Sequence, residues 1–505
     1  MKHILSHKWA KHVVTYIRKP PLTTIILCGI ILIAIFFRFY NTPLRYTIGY
    51  DSSRDAFVAL EGARQLQLPL TGPFSSLGPF TFGPWYYIQL ILFTALTHIP
   101  NAPWVYMGVS SVLFVLVMYK VGELIQDKRF GLVVAFFAAI FPIHIITGTS
   151  LSNAWNVSIF AGIAMLAYLK LIRAKSSYWW SLILGFSVGL AANAHYSSLA
   201  LLVLPLLIFL YKPRRYKHVV AMALGLFIAF LPLIIFDLNN HWFTFRNLLY
   251  TGIHMKGRIY VANSWTIYLR DFWPSYLSNT TGLPIPLVLL MVFLSVGSIL
   301  WSFVKRKIAS PLFLLLCAFF IVFVQLRYYG GERSVSYLQY LQPFVLVLFA
   351  YPINMLFRFR YGVLMIIVST LLLTLFILPR DISELGSPAF ETEIHGYANQ
   401  LIRSYPDQKF STFNCQEYNH GKMQALALLL DVRGKLDDSG FKIGFADAHC
   451  AVPQNQKTKS VLEEMSVVDL SNSTEEELAK AGWMSATAKR VHGKTVRWWI
   501  ENPLD

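Results

Sequence analysis

Asp51, Arg54 and Asp55 fall within about one helical turn, two carboxylates flanking a guanidinium. Such a group suits general-base chemistry beside an anion: a carboxylate takes a proton while the cation steadies a negatively charged leaving group. Carboxylates are scarce here. Of 26 acids, 18 lie from Asp381 onward, which leaves eight in the first 380 residues. Glu123 and Asp127 sit in a basic connection between apolar runs. The other six are Asp51, Asp55, Glu61, Asp237, Asp271 and Glu332. They all fall on the opposite side of the membrane, where a general base would be needed.

Asp51 leads. Ser52 to Leu66 reads as an amphipathic helix with Phe57, Leu60, Ala63 and Leu66 along one face. Asp51 then stands at its N-cap or just before it, with Ser52 and Ser53 as competing caps. The helix dipole and free amides there favour an ionised, oriented carboxylate. The plain alternative is a capping aspartate with a local Arg–Asp pair. Further on, Pro73, Gly78-Pro79 and Gly83-Pro84 make a rigid path lined by Phe74, Phe80, Phe82 and Trp85. It either folds back over a cavity or anchors at the membrane interface.

Other candidate pocket residues are Tyr86 and Tyr87 after that path, Asn153 and Asn156 at an outer lip, and His195 and Tyr196 in a tight hairpin. A lone histidine in such a hairpin is by default a hydrogen-bonded structural residue. Asp237 opens a second outer loop and serves equally well as a helix cap. Arg327, Glu332, Arg333 and Tyr337 form a third group. Its two cations run against the inward bias of positive charge, which points to a phosphate partner.

The positioning elements are membrane helices. The chain of 505 residues is 55% hydrophobic and 14% charged, with mean hydropathy +0.50. A soluble protein carries roughly a quarter charged residues. The net charge of +18 would suggest nucleic acid in a soluble protein. Here it gathers in short connections between apolar runs, and no nucleic-acid partner is expected. Eleven runs are long enough to span: 22–40, 103–121, 130–148, 155–172, 178–194, 196–211, 218–236, 283–303, 309–326, 340–357 and 361–378. Tyr86–Ile99 is shorter and suits an interfacial or re-entrant helix. Leaving it out puts every basic connection on the side of the acid-free N-terminus. The expected molecule is therefore mainly α and polytopic, with an eleven-span membrane domain over 1–379. Its N-terminus is cytoplasmic, its outer loops are 41–102, 237–282 and 327–339, and a small extracytoplasmic α/β domain follows over 380–505. Cys415 and Cys450 in that domain could pair; Cys28 and Cys317 lie in spans and pack.

This layout resembles the C-type membrane glycosyltransferases, especially the protein O-mannosyltransferase and lipid A aminoarabinose transferase branch. Asp51-Ser-Ser-Arg54 is similar to the branch's Asp-Glu-x-Arg motif, and Trp85-Tyr86-Tyr87 to its aromatic interfacial helix. The resemblance implies Asp51 as catalytic base, with Asp55 beside it. It also implies Arg54 on the donor phosphate, where Arg327 or Arg333 could supply a second cation. The donor would be a polyprenyl-phosphate-linked sugar, the acceptor a protein, lipid or glycan, and the setting a prokaryotic plasma membrane. Two departures stand out. Ser52 replaces the second acid, which puts a divalent metal in doubt, and Gly83 stands where relatives often offer a lysine. The competing readings are a transporter or lipid flippase, which would carry acids within its spans, and a glycan-polymerising ligase.

Overall fold

The structure, a computed structural model, describes residues 21–485 except 42–44, 47–49, 76–77, 100, 174–176, 212–215, 255–263, 306–309, 330–332, 387–390, 416–419, 438, 447–457 and 463–464. Glu332, and Cys450 with the pairing expected of it, lie outside the described residues.

Every apolar run expected to span is helical. The helices are α1 (Leu22–Phe39), α2 (Tyr50–Gln65), α3 (Trp85–Thr97), α4 (Ala102–Ile125), α5 (Lys128–Ile140), α6 (Pro142–Thr149), α7 (Val157–Arg173) and α8 (Tyr178–Ala194). A 3-10 turn (Tyr196–Leu202) leads into α9 (Val203–Tyr211), then come α10 (Tyr216–Asn239) and α11 (Phe243–His254). A π-helical turn (Tyr268–Phe272) opens α12 (Trp273–Thr281), followed by α13 (Ile285–Val304), α14 (Ser310–Arg327), α15 (Gln342–Met355) and α16 (Gly362–Gly386). Among the described residues six stretches are long and apolar enough to cross a membrane, and α5 with α6 makes a seventh, bent by 58°. The molecule is a polytopic membrane protein. Runs 155–172, 178–194, 196–211 and 309–326 fold as shorter helical segments. Length and apolarity therefore count fewer than the expected eleven spans.

The bend shows how a buried charge is accommodated. Pro142 has no N–H to give the carbonyl four residues back, at Ala138. Arg38, fully buried near the end of α1, replaces the missing donor: Nη2 donates to Ala138 O at 2.9 Å and Nη1 to Ala139 O at 2.8 Å. Its Nε donates to Ser111 Oγ at 2.8 Å. Backbone groups with no water to turn to are satisfied by a side chain from another helix. Elsewhere α8 and α10 touch backbone to backbone, since a Cβ on Gly185 would lie 1.8 Å from Met222 O.

Residues 86–99, expected to be too short to span, fold as α3, which has 13 residues and packs along α2. Beyond α16, α17 (Glu391–Ser404) and α18 (His420–Val432) accompany a five-stranded sheet, with α19 (Glu475–Lys480) before its last strand. Its strands are β1 (Phe410–Cys415), β2 (Phe441–Ala446), β3 (Thr458–Leu462), β4 (Met465–Asp469) and β5 (Trp483–Ser485), in the order β3-β4-β2-β1-β5. β1 and β2 are parallel, joined across α18, and the other pairs are antiparallel. This sheet is not remote from the membrane part. Leu426, Ala427 and Leu430 of α18 share one apolar core with Ala56, Phe57 and Leu60 of α2, and Arg64 pairs with Asp431 at 2.8 Å.

Candidate active site

α2 starts at Tyr50, so Asp51 occupies its first turn and not its N-cap. Ser52 and Ser53, expected as caps, are buried inside the helix. The single apolar face is corrected too. Residues Ala56 to Leu60 are all buried because α3 and α18 cover the helix from different sides, while Leu66 lies past its end, exposed, with φ +52°.

Arg54 is the centre of the group. Its Nη1 donates to Asp51 Oδ1 at 2.7 Å, its Nε to Asp55 Oδ1 at 2.9 Å, and its Nη2 lies 2.8 Å from the same Asp55 oxygen. The two carboxylates differ sharply: the Asp51 side chain is 64% exposed and that of Asp55 is 0%. Tyr87 donates to Asp55 Oδ1 at 2.8 Å, and the Tyr86 hydroxyl is buried against the same carboxyl. Burial pushes Asp55 up to about 6, against the pull of Arg54 and Tyr87 and with the nearby Asp51 charge adding to the rise. Burial disfavours the Arg54 charge, but Asp55, Tyr87 and Asp51 outweigh it and hold the guanidinium well above its ordinary range. Burial keeps both phenols neutral, with Tyr87 the donor to Asp55. The arrangement is a fixed cation with a dry carboxylate behind it and a wet one in front.

The Pro-Gly path folds back as a narrow hairpin, with Gly72 N donating to Phe82 O and Phe82 N to Pro73 O, both at 2.9 Å. Tyr196 donates to Thr81 O at 2.7 Å, and the Thr81 and Thr244 hydroxyls meet at 2.9 Å. Gly83 is explained here: a Cβ at this position would lie 1.4 Å from Asn193 Oδ1, so no lysine fits on this backbone. His195 is stacked between Phe82 (5.3 Å) and Tyr337 (4.4 Å), its Nδ1 2.7 Å from Ser197 Oγ. Burial lowers it to about 4, leaving a neutral ring at neutral pH. It joins the hairpin to the loop that carries Arg333.

Arg327 and Arg333 come together. Arg333 Nη2 donates to Arg327 O at 3.1 Å and to Tyr329 O at 3.0 Å. The Arg333 guanidinium lies over Tyr268 and Phe272, and that of Arg327 over Trp265 and Tyr328. The π-helical turn stacks Tyr268 on Phe272 at 5.5 Å and 5°, which makes the platform. Buried Nε atoms of both arginines, and Nη1 of Arg333, have no hydrogen-bond partner among the described residues, and no carboxylate there pairs with either. Tyr268 packs 5.2 Å from Phe323 and 6.0 Å from Trp273. Those two rings line an apolar cleft of about 510 Å³ between α12, α13, α14 and α15. An anionic head with a hydrocarbon tail matches this pairing of chemistry.

Other expected residues have plainer positions. Asp237 accepts from the amides of Thr244 (2.8 Å) and Phe245 (2.9 Å), so it caps α11. Asn153 donates to Ala194 O at 2.6 Å. Asn156 joins a polar cluster with Gln89, Tyr106 and Ser110. Gln89, Tyr106, Trp265, Tyr268 and Phe272 were not legible as site residues, because each sits in an apolar or aromatic run with nothing in its spacing to single it out. Among the described residues no three of His, Cys, Asp and Glu converge as metal ligands.

The same fold is seen in solved structures of two other proteins. ArnT from Cupriavidus metallidurans bound to undecaprenyl phosphate superposes with a TM-score of 0.60 at 13% identity, over 88% of this chain and 97% of that one. Its apo state gives the same score and coverage at 12% identity. The oligosaccharyltransferase of Archaeoglobus fulgidus, in its apo form, superposes with a TM-score of 0.51 at 12% identity, over 86% of this chain and 70% of that one. No family model matches the sequence, and no curated protein does.

Proposed function

We propose that this protein is a membrane glycosyltransferase that moves a sugar from a polyprenyl-phosphate carrier to a protein, lipid or glycan acceptor on the extracytoplasmic face. One observation carries this reading: two arginines, with donors that have no partner among the described residues, stand beside an apolar cleft. A carrier's isoprenoid tail would lie in the cleft and its phosphate would meet Arg327 and Arg333. The shared fold with a transferase bound to undecaprenyl phosphate supports the same class of donor.

In the reaction, an acceptor hydroxyl or amine attacks the anomeric carbon as Asp51 takes its proton. The bond from that carbon to the phosphate oxygen breaks, and the phosphate leaves with the electron pair. Arg54 and the arginine pair stabilise the charge it gains. Asp51 suits the base because it is accessible and oriented by Arg54, whereas Asp55 is dry and engaged, and positions Arg54. A single displacement inverts the anomeric centre. The N-terminus is cytoplasmic, and the domain over 380–505, whose α18 packs on α2, is extracytoplasmic.

The test is a transfer assay with purified protein and a panel of polyprenyl-phosphate sugars. Wild type transfers sugar and Asp51→Asn, which keeps shape but not basicity, does not. Transfer by Asp51→Asn at the wild-type rate would overturn the assignment of the base, and an inert wild type with the full panel would overturn the class.

A further inference from the structure

The polar cluster beside α3 has a feature that its own hydrogen bonds do not use. Gln89 Oε1 accepts from the Tyr106 hydroxyl and from Asn156 Nδ2, the latter at 3.0 Å. Ser110 Oγ donates to Asn156 Oδ1 at 3.3 Å, which orients the Asn156 amide with its N–H groups toward Gln89. Three residues from α4 and the segment before α7 therefore fix which way the Gln89 amide faces. Its Nε2 makes no hydrogen bond among the described residues. Gln89 is only half-buried, and these two N–H groups are held in one orientation with no partner among the described residues.

Their location matters. Gln89 is three residues after Tyr86 on α3, so the two side chains are neighbours on one helix. The Tyr86 hydroxyl is buried against Asp55, itself bonded to Arg54. Gln89 is thus one helical turn along α3 from a residue whose side chain meets the carboxylate–arginine group. A neutral, pre-oriented pair of N–H donors fits an uncharged oxygen; an anion would draw a cation, and Arg54 already serves that purpose nearby. Amide and phenol groups beside an aromatic ring are suited to sugar hydroxyls, and Tyr106 packs edge-on to Phe93 at 5.8 Å.

We infer that Gln89 is a specificity-determining residue whose amide N–H groups bind one hydroxyl or carbonyl oxygen of the transferred sugar, with Tyr106 and Asn156 as positioning residues. This rests on the transferase reading proposed above. A site built to donate to a sugar oxygen rejects the analogue lacking it, because its own donors are then left unpaired.

The experiment compares full-length wild type, Gln89→Leu and Gln89→Glu with the best polyprenyl-phosphate sugar and its series of monodeoxy analogues. Wild type discriminates against one particular deoxy analogue by about 10- to 100-fold in kcat/KM. Gln89→Leu loses that one discrimination and keeps the others. Gln89→Glu keeps the Tyr106 and Asn156 contacts but offers an acceptor in place of the donors, and is worse with the parent sugar than with that analogue. Tyr106→Phe frees the amide to turn and gives an intermediate loss, which guards against a Gln89 variant that folds poorly. An active wild type whose Gln89 variants keep the full discrimination pattern overturns this inference alone. A wild type inert with every donor overturns the transferase reading and this inference with it.

Discussion

Arg333 donates through Nη2 to the backbone carbonyl of Arg327 at 3.1 Å, which tethers two guanidiniums to one lip without a described carboxylate between them. Desolvation and the neighbouring Arg327 charge both act against the Arg333 cation, with desolvation the larger. Such a pair is costly unless an anion answers it. Replacing either with Gln is expected to weaken binding of a polyprenyl phosphate by about 10- to 100-fold, the weight of a hydrogen bond to a charged group. Titration of purified protein in nanodiscs with the lipid phosphate checks this. Unchanged affinity in both variants would remove the arginines from the donor site.

Asp55 sets a pH dependence with opposite signs for activity and stability. Its carboxyl has an ordinary value of 3.8 and is raised to about 6 in the fold, mainly by burial. Between those values the folded chain binds more protons than the unfolded one. This group's contribution to stability is therefore full below 3.8 and is lost as pH rises through 6. Activity moves the other way, since protonation releases Arg54 from its anchor. The expected profile of kcat/KM falls below about pH 6 while thermal stability in detergent gains. Asp55→Asn should flatten the stability term and lower activity at neutral pH; a variant with the wild-type profile would show that Asp55 does not position Arg54.

Gly83→Ala is expected to be strongly destabilising, because the added carbon would lie 1.4 Å from Asn193 Oδ1 and 2.7 Å from its Cβ. The backbone at Asn193 is itself bonded to Gly83 N at 3.0 Å, so neither side moves easily. Pairing it with Asn193→Gly should restore much of the loss. A lysine at 83 that folded as well as wild type would contradict this packing.

Arg38→Met leaves the carbonyls of Ala138 and Ala139 without their donor inside the helix bundle. The expected cost is on the order of 2–3 kcal/mol, read as a fall in unfolding temperature in detergent. Arg38→Lys, which reaches fewer acceptors, should fall between. No shift in either variant would mean that water satisfies the bend.

Much of this protein is written in its sequence because hydrophobic length, loop charge and turn residues are local signals. They placed the helices, the short α3 and the close spacing of Asp51, Arg54 and Asp55. Periodicity failed at α2, since it reports burial on one face of an isolated helix, and α3 and α18 bury others. Only the tertiary structure decided that Asp55 is dry and Asp51 wet, that Gly83 makes room for Asn193, and that a π-helical turn stacks Tyr268 on Phe272 beneath Arg333. It alone brought Gln89 to Tyr106 and Asn156. Each of these is a contact between segments distant in the chain, set by how helices pack, and no local pattern encodes the partner.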